Sequence, residues 1–252
     1  MSRSNLPAWI DLSSPDVAAS SAFYKGLLGW QVEVSPDPQY GGYAVARLGG
    51  KDVAGIGPKM DPAAPTAWNL YIGTDDAAAL AERVTAEGGT VIAPPFAVGG
   101  QGTMAVFQDP SGAFISAWQA ASMSGWEAEG PGAYGWAELN ARGRDAVLPF
   151  YQKVFGWTTR ERPMAEGQPP YVEIRLGDAS VAGAWEMSPA IPPEVPSYWM
   201  VYFNVADVDD TVARAVASGA TMMVPAQDFP GGRFAIVSDP QGAMFGLLMM
   251  AS

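Results

Sequence analysis

The chain has 252 residues, 48% of them hydrophobic, enough to bury two cores of ordinary domain size. Acidic residues outnumber basic ones 26 to 14, and the net charge of -12 sets up a field that repels nucleic-acid phosphate and anionic lipid. Cysteine and histidine are both absent, which removes disulfides, thiolate chemistry and the imidazole that usually serves as general base and transition-metal ligand.

The N-terminal MSRSNLPAWIDL contains no apolar run of signal-peptide type, and no segment approaches the roughly 18 apolar residues of a membrane span. A soluble, cytoplasmic protein with no nucleic-acid or membrane partner is the expectation. The first predicted element is a strand, PAWIDL, ending at Ser13. Ser14 then offers an N-cap and Pro15 the favoured first helical position, so a helix is predicted to about Leu28, where Gly29 stops it. Extended runs follow at 30–34, 43–48 and 52–56, separated by Gly and Pro clusters.

The same order then recurs. A strand is predicted at 69–72, and Ala77, Leu80, Ala81 and Val84 form the apolar face of a helix closed by Gly88-Gly89. Strands are predicted at 90–93, 103–108 and 113–119, the last two joined by Asp109-Pro-Ser-Gly, which has type I turn chemistry.

Beyond a small-residue linker the whole pattern returns. FYKGLLGW at 23–30 is matched by FYQKVFGW at 150–157, and Trp9-Ile-Asp-Leu by Trp136-Ala-Glu-Leu. Tyr43-Ala-Val-Ala-Arg-Leu-Gly is matched by Tyr171-Val-Glu-Ile-Arg-Leu-Gly, and Asp109-Pro-Ser-Gly by Asp239-Pro-Gln-Gly. A repeat offset that drifts only through loops marks a tandem duplication. The predicted organisation is a first domain at 1–121, a linker at 122–132 and a second domain at 133–252, holding four βαβββ modules of α+β class. Pro149 must lie in or near the first turn of its helix or kink it.

The FYxxxLGW-like helix, the DPxG hairpin and the paired βαβββ modules resemble the vicinal oxygen chelate superfamily, which includes glyoxalase I, extradiol dioxygenases and bleomycin-binding proteins. The resemblance covers nearly the whole chain, twice, and is strongest to two-domain members of actinobacterial type. It implies two open, cup-shaped mixed sheets whose inner faces hold a ligand, with a divalent metal bound by inward histidines and glutamates.

At the positions that the resemblance implies for those ligands, this chain has other residues. The first-strand position falls on Trp9 and Trp136, the fifth-strand position on Asn69 and Met200, and the last-strand glutamate on Ser116 and Gly246. The fourth-strand position falls near Gly55 or Gly57 and near Gly183 or Trp185. Without imidazole the usual iron, nickel or zinc site cannot be built. An oxygen-only magnesium or calcium site stays open but has no clustered carboxylates to recommend it, and the expectation is no metal and no cofactor.

Strand periodicity places further residues on the faces of those positions. Asp11 joins Trp9 and Glu138 joins Trp136, while Tyr71, Tyr202, Trp118 and Trp185 add aromatic surface. The candidate ligand-binding set is therefore Trp9, Asn69, Tyr71, Ser116, Trp118, Trp136, Trp185, Met200 and Tyr202, with Asp11 and Glu138 as candidate catalytic acids. The competing account is that the aromatics fill the cups as packing and the acids face solvent. Arg47 and Arg175 are open to two readings, an anion clamp or an outer salt bridge. Met222-Met223 and Met249-Met250 are expected as core or gap filling.

Three functions fit this pattern. One is a metal-free protein binding a planar or cationic organic natural product, in self-resistance or sequestration. A second is a metal-independent lyase or isomerase using a cup carboxylate as general acid or base. A third is a scaffold for a protein partner. The expected assembly is a monomer with pseudo-twofold halves or a weak homodimer.

Overall fold

A computed structural model describes residues 4–164 and 169–251. The first half comprises β1 (Pro7–Ser14), α1 (Val17–Leu28), β2 (Gln31–Val34), β3 (Ala44–Leu48), β4 (Lys51–Pro58), β5 (Ala67–Gly73), α2 (Ala77–Ala86), β6 (Thr90–Val98), β7 (Gly102–Gln108) and β8 (Phe114–Ala120). The second repeats this order as β9 (Tyr134–Ala141), α3 (Arg144–Phe155), β10 (Thr158–Arg162), β11 (Tyr171–Leu176), β12 (Ala179–Glu186), β13 (Tyr198–Asn204), α4 (Val208–Ala217), β14 (Thr221–Phe229), β15 (Gly232–Ser238) and β16 (Met244–Met250). Each half makes one eight-stranded mixed sheet, in the orders β2-β3-β4-β1-β5-β8-β7-β6 and β10-β11-β12-β9-β13-β16-β15-β14. No described helix is long and apolar enough to cross a membrane.

Helix ends follow local chemistry, with two departures from expectation. Asp16, not Ser14, caps α1, accepting from the Ala19 N–H at 2.9 Å. Ser14 is still strand, and its buried hydroxyl is bonded to Ser20 Oγ at 2.7 Å, so the helix starts two residues later. Pro149 lies well inside α3, beyond the first turn. That helix has Gly143 at its N-cap and no cap from its own side chains. Glu186, at the end of β12, supplies the acceptors instead, taking the N–H groups of Gly143 at 2.8 Å and Arg144 at 2.7 Å. Asp76 and Asp207 cap α2 and α4.

The chain forms two compact units, and neither coincides with a half of the sequence. Unit 1 takes Met1–Trp9, Leu70–Ser124 and Ala137–Trp199, and unit 2 takes Ile10–Asn69, Gly125–Trp136 and Met200–Ser252. Each therefore joins one module from the first half to one from the second.

The reason is visible in the repeated motifs, which bond to each other within each unit. In unit 2 the Tyr24 hydroxyl donates to Asp239 Oδ2 at 2.9 Å and accepts from Trp68 Nε1 at 3.0 Å. The Tyr24 ring stacks on Trp30, with Phe203 and Phe245 closing the cluster. In unit 1 the Tyr151 hydroxyl donates to Asp109 Oδ2 at 2.7 Å and accepts from Trp199 Nε1 at 2.9 Å, and its ring stacks on Trp157. The tyrosine of each FY phrase thus reaches the aspartate of the opposite half's DPxG turn. That turn is built as expected: Asp109 C=O accepts from Gly112 N–H at 3.0 Å while Oδ1 takes the N–H groups of Ser111 and Ala113.

The segment between the halves is anchored in unit 2, where Trp30 Nε1 donates to the Gly132 carbonyl at 2.7 Å and Gly132 N–H to the Asn204 carbonyl at 2.7 Å. The methionine expectation fails on β14 and at Met250, the exposed last residue of β16. Met222 and Met223 are 50% and 51% exposed, because β14 is the edge strand of its sheet and a register shift follows Met222.

Candidate functional site

The sequence-predicted site residues divide between the units. Asp11, Asn69, Trp136, Met200 and Tyr202 belong to unit 2; Trp9, Tyr71, Ser116, Trp118, Glu138 and Trp185 belong to unit 1.

In unit 2, β1 and β4 run parallel with Asp11 opposite Gly55 and Ser13 opposite Gly57. Asp11 is half-buried. Its Oδ1 accepts from Asn69 Nδ2 at 2.8 Å, and the same amide nitrogen lies 3.1 Å from Ser13 Oγ. Its Oδ2 accepts from the Tyr43 hydroxyl at 3.3 Å. Tyr43 stands one residue before β3 and leans across β4. A Cβ on Gly55 would fall inside its phenol, and one on Gly57 would lie 2.9 Å from its Cδ2. The bare backbone of β4 is what admits the ring.

The second half supplies a contrasting set to the same unit. Tyr202 lies opposite Gly246 in the β13–β16 pairing and covers it, so that a Cβ there would enter the ring. Met200 and Tyr202 are buried and Trp136 is half-buried.

In unit 1, Trp9, Tyr71, Ser116 and Trp118 are all buried. Tyr71 sits opposite Ser116 in the β5–β8 pairing. The Trp118 ring covers Gly102 and its Nε1 donates to the Met123 carbonyl at 2.8 Å. Glu138 is buried opposite Gly183. Burial raises the pKa of nearby Tyr198, and the Glu138 charge raises it further. Trp185 packs edge-on against Tyr171 with ring centroids 5.1 Å apart.

Three residues escaped the sequence reading. Tyr43 was visible only as a tyrosine recurring at Tyr171, and Tyr198 has no aromatic counterpart in the first half. Glu173 is buried and takes donors from Arg162 at 2.6 Å, Arg175 at 2.9 Å and Ser180. The Ser180 hydrogen bond, then the arginines, hold its carboxyl below the usual range against the opposing effect of burial. Of the two recurring arginines, Arg47 bridges Glu33 at 2.7 Å and Asp52 at 2.8 Å, and Arg175 pairs with Glu173, so both are ion-pair residues.

The profile of the Glyoxalase/Bleomycin resistance protein/Dioxygenase superfamily matches residues 7–116 and 133–247. The chain belongs to that superfamily. Among its relatives in the superfamily, a putative glyoxylase, CFP32, of Mycobacterium tuberculosis is 41% identical over 256 residues, covering 99% of this chain and 96% of the relative. The anthracycline biosynthesis protein DnrV of Streptomyces peucetius is 41% identical over 257 residues, covering 96% and 92%. In fold the chain is similar to the Mn(II)-bound glyoxalase of Novosphingobium aromaticivorans, with TM-score 0.68 and 18% identity over 99% of this chain and 83% of that one. It is also similar to the 2,3-dioxygenase LapB of Pseudomonas, with TM-score 0.66 and 14% identity over 99% and 94%.

The superfamily's divalent metal does not fit the donor set of this chain. Among the described residues no three acids gather as a metal-binding group, and histidine and cysteine are absent from the sequence. Of the positions that the resemblance implies for ligands, Gly55 and Gly57 are crowded by the Tyr43 ring and Gly246 by the Tyr202 ring, where a ligating side chain would need space.

Proposed function

We propose that this superfamily member is a metal-free binding protein for a planar, amine-bearing organic natural product, acting in sequestration or self-resistance. The observation that carries the reading is the Asp11 carboxylate, half-buried and steadied by the Asn69 amide and the Tyr43 hydroxyl. A carboxylate held in this way offers a charge-assisted hydrogen bond to a ligand ammonium, beside an aromatic ring. Near-full-length identity of 41% to an anthracycline biosynthesis protein supports a ligand of that chemical class.

The test is isothermal titration calorimetry with an aminoglycosylated anthraquinone. The wild-type chain binds it, and Asp11→Asn weakens binding on the order of 10-fold. Heats indistinguishable from dilution up to high micromolar ligand would sink the proposal.

A second reading rests on the contact between the Tyr43 hydroxyl and Asp11 Oδ2. In a metal-independent lyase or isomerase, Asp11 would take a proton from the substrate and Tyr43 would hydrogen-bond the charge that develops, with Glu138 and Tyr198 as the counterpart in unit 1. Full turnover of an identified substrate by both Asp11→Asn and Glu138→Gln would rule this mechanism out.

A further inference from the structure

We propose that Tyr43 is the specificity-determining residue of the Asp11 site, selecting ligands that carry a protonated amine. The inference rests on the binding function proposed above and names the group that discriminates.

The geometry makes tyrosine and chelation alternatives. The resemblance to metal-dependent proteins places a carboxylate near Gly55 or Gly57, and Gly55 stands opposite Asp11 across the β1–β4 pairing. Any side chain at 55 begins with a Cβ, and that atom would occupy the place of the Tyr43 hydroxyl and Cζ. Gly57 gives the same ring its second clearance. The phenol reaches Asp11 because both positions are bare, and a chelating residue at 55 would drive it away.

What replaces the chelate has a different preference. A hydroxyl that donates to a carboxylate is polarised, and its oxygen becomes a better acceptor for a cationic N–H. A ligand ammonium donating to Tyr43 Oη is thereby linked through the hydroxyl to the Asp11 charge, whereas a ligand carbonyl oxygen, which has no proton to donate, meets an acceptor and a carboxylate. The phenol face adds cation–π attraction for the same group.

The experiment compares two probes, an aminoglycosylated anthraquinone and its sugar-free aglycone, on the wild type, Tyr43→Phe and Gly55→Ala, by calorimetry. Tyr43→Phe keeps the ring and removes the hydroxyl; it should weaken the amine-bearing probe on the order of 10-fold and the aglycone by less than about 2-fold. Gly55→Ala pushes the phenol off Asp11 and should lower the same amine-to-aglycone ratio, with thermal melts confirming that the fold persists. Should Gly55→Ala fail to fold, Tyr43→Phe alone decides. Binding by the wild type with an unchanged ratio in Tyr43→Phe overturns this inference and leaves the binding function standing. A wild type that binds neither probe overturns both.

Discussion

Replacing Tyr24 by phenylalanine deletes one oxygen from the core of unit 2 and leaves every ring in place. Tyr24 is fully buried, and its hydroxyl joins Asp239 Oδ2 at 2.9 Å to Trp68 Nε1 at 3.0 Å. Without it the indole N–H loses its acceptor, at about 1 kcal/mol, and a carboxylate oxygen in a buried residue loses its phenolic donor, at about 2 kcal/mol. Asp239 Oδ1 keeps the N–H groups of Gln241 and Ala243, so the turn itself survives. The expected loss is about 3 kcal/mol, or a fall in Tm of roughly 6–12 °C for a chain of this size. Urea unfolding followed by tryptophan fluorescence, with calorimetric melts alongside, measures it. Tyr151→Phe should behave alike, since its hydroxyl makes the same pair of bonds to Asp109 and Trp199. In a cycle, Trp68→Phe should cost less in the Tyr24→Phe background than in the wild type. Losses below about 0.5 kcal/mol in both tyrosine variants, a range ordinary for surface changes, would refute the account of what joins the modules.

Gly246→Ala should destabilise by about 1–3 kcal/mol through collision with the buried Tyr202 ring, and a Tyr202→Leu background should relieve most of that cost in the same urea assay. Glu186→Ala strips the first N–H groups of α3 of their acceptor and should cost about 1 kcal/mol, seen as faster amide exchange at Gly143 and Arg144, with Glu186→Gln milder. Glu173 has a lowered pKa in the fold, so its stabilisation is present above the ordinary glutamate value of about 4.3 and is lost as pH falls through the folded value. Stability measured from neutral to acid pH should therefore fall less steeply in Glu173→Gln. Tyr24 and Tyr151 have raised pKa values, caused first by burial and then by their aspartates, so stability is complete below about pH 10 and declines above it. Tyr24→Phe should flatten that alkaline decline, and an unchanged slope would count against it.

The repeat, the order of elements and the superfamily were legible because hydrophobic period, glycine stops and the DPxG turn are local signals. The partner of each module was not. FY and DPxG occur in both halves, and a Tyr24 bond to Asp109 or to Asp239 would satisfy the same chemistry, so only three-dimensional packing distinguishes them. Asp11 and Asn69 could each be picked out as candidates from strand period and the resemblance. Tyr43 could not, since it acts by leaning over the glycines of a neighbouring strand. Ser14 and Asp16 are both sound caps, and the choice depended on how far β1 continues. Met222 and Met223 look like core in composition, but edge position is a property of sheet order, which no short window contains.

The exchange of modules between halves also sets an order of assembly. Unit 2 is held together by residues as far apart as Tyr24 and Asp239, separated by 215 positions, whereas the main contacts of unit 1 lie between Leu70 and Trp199. During synthesis the nested pair emerges complete while the flanking pair still waits for its closing segment, and the larger loop carries the greater closure entropy. Duplication thus produced a repeat in sequence that differs from the compact unit in space: residues 1–121 hold only part of each compact body.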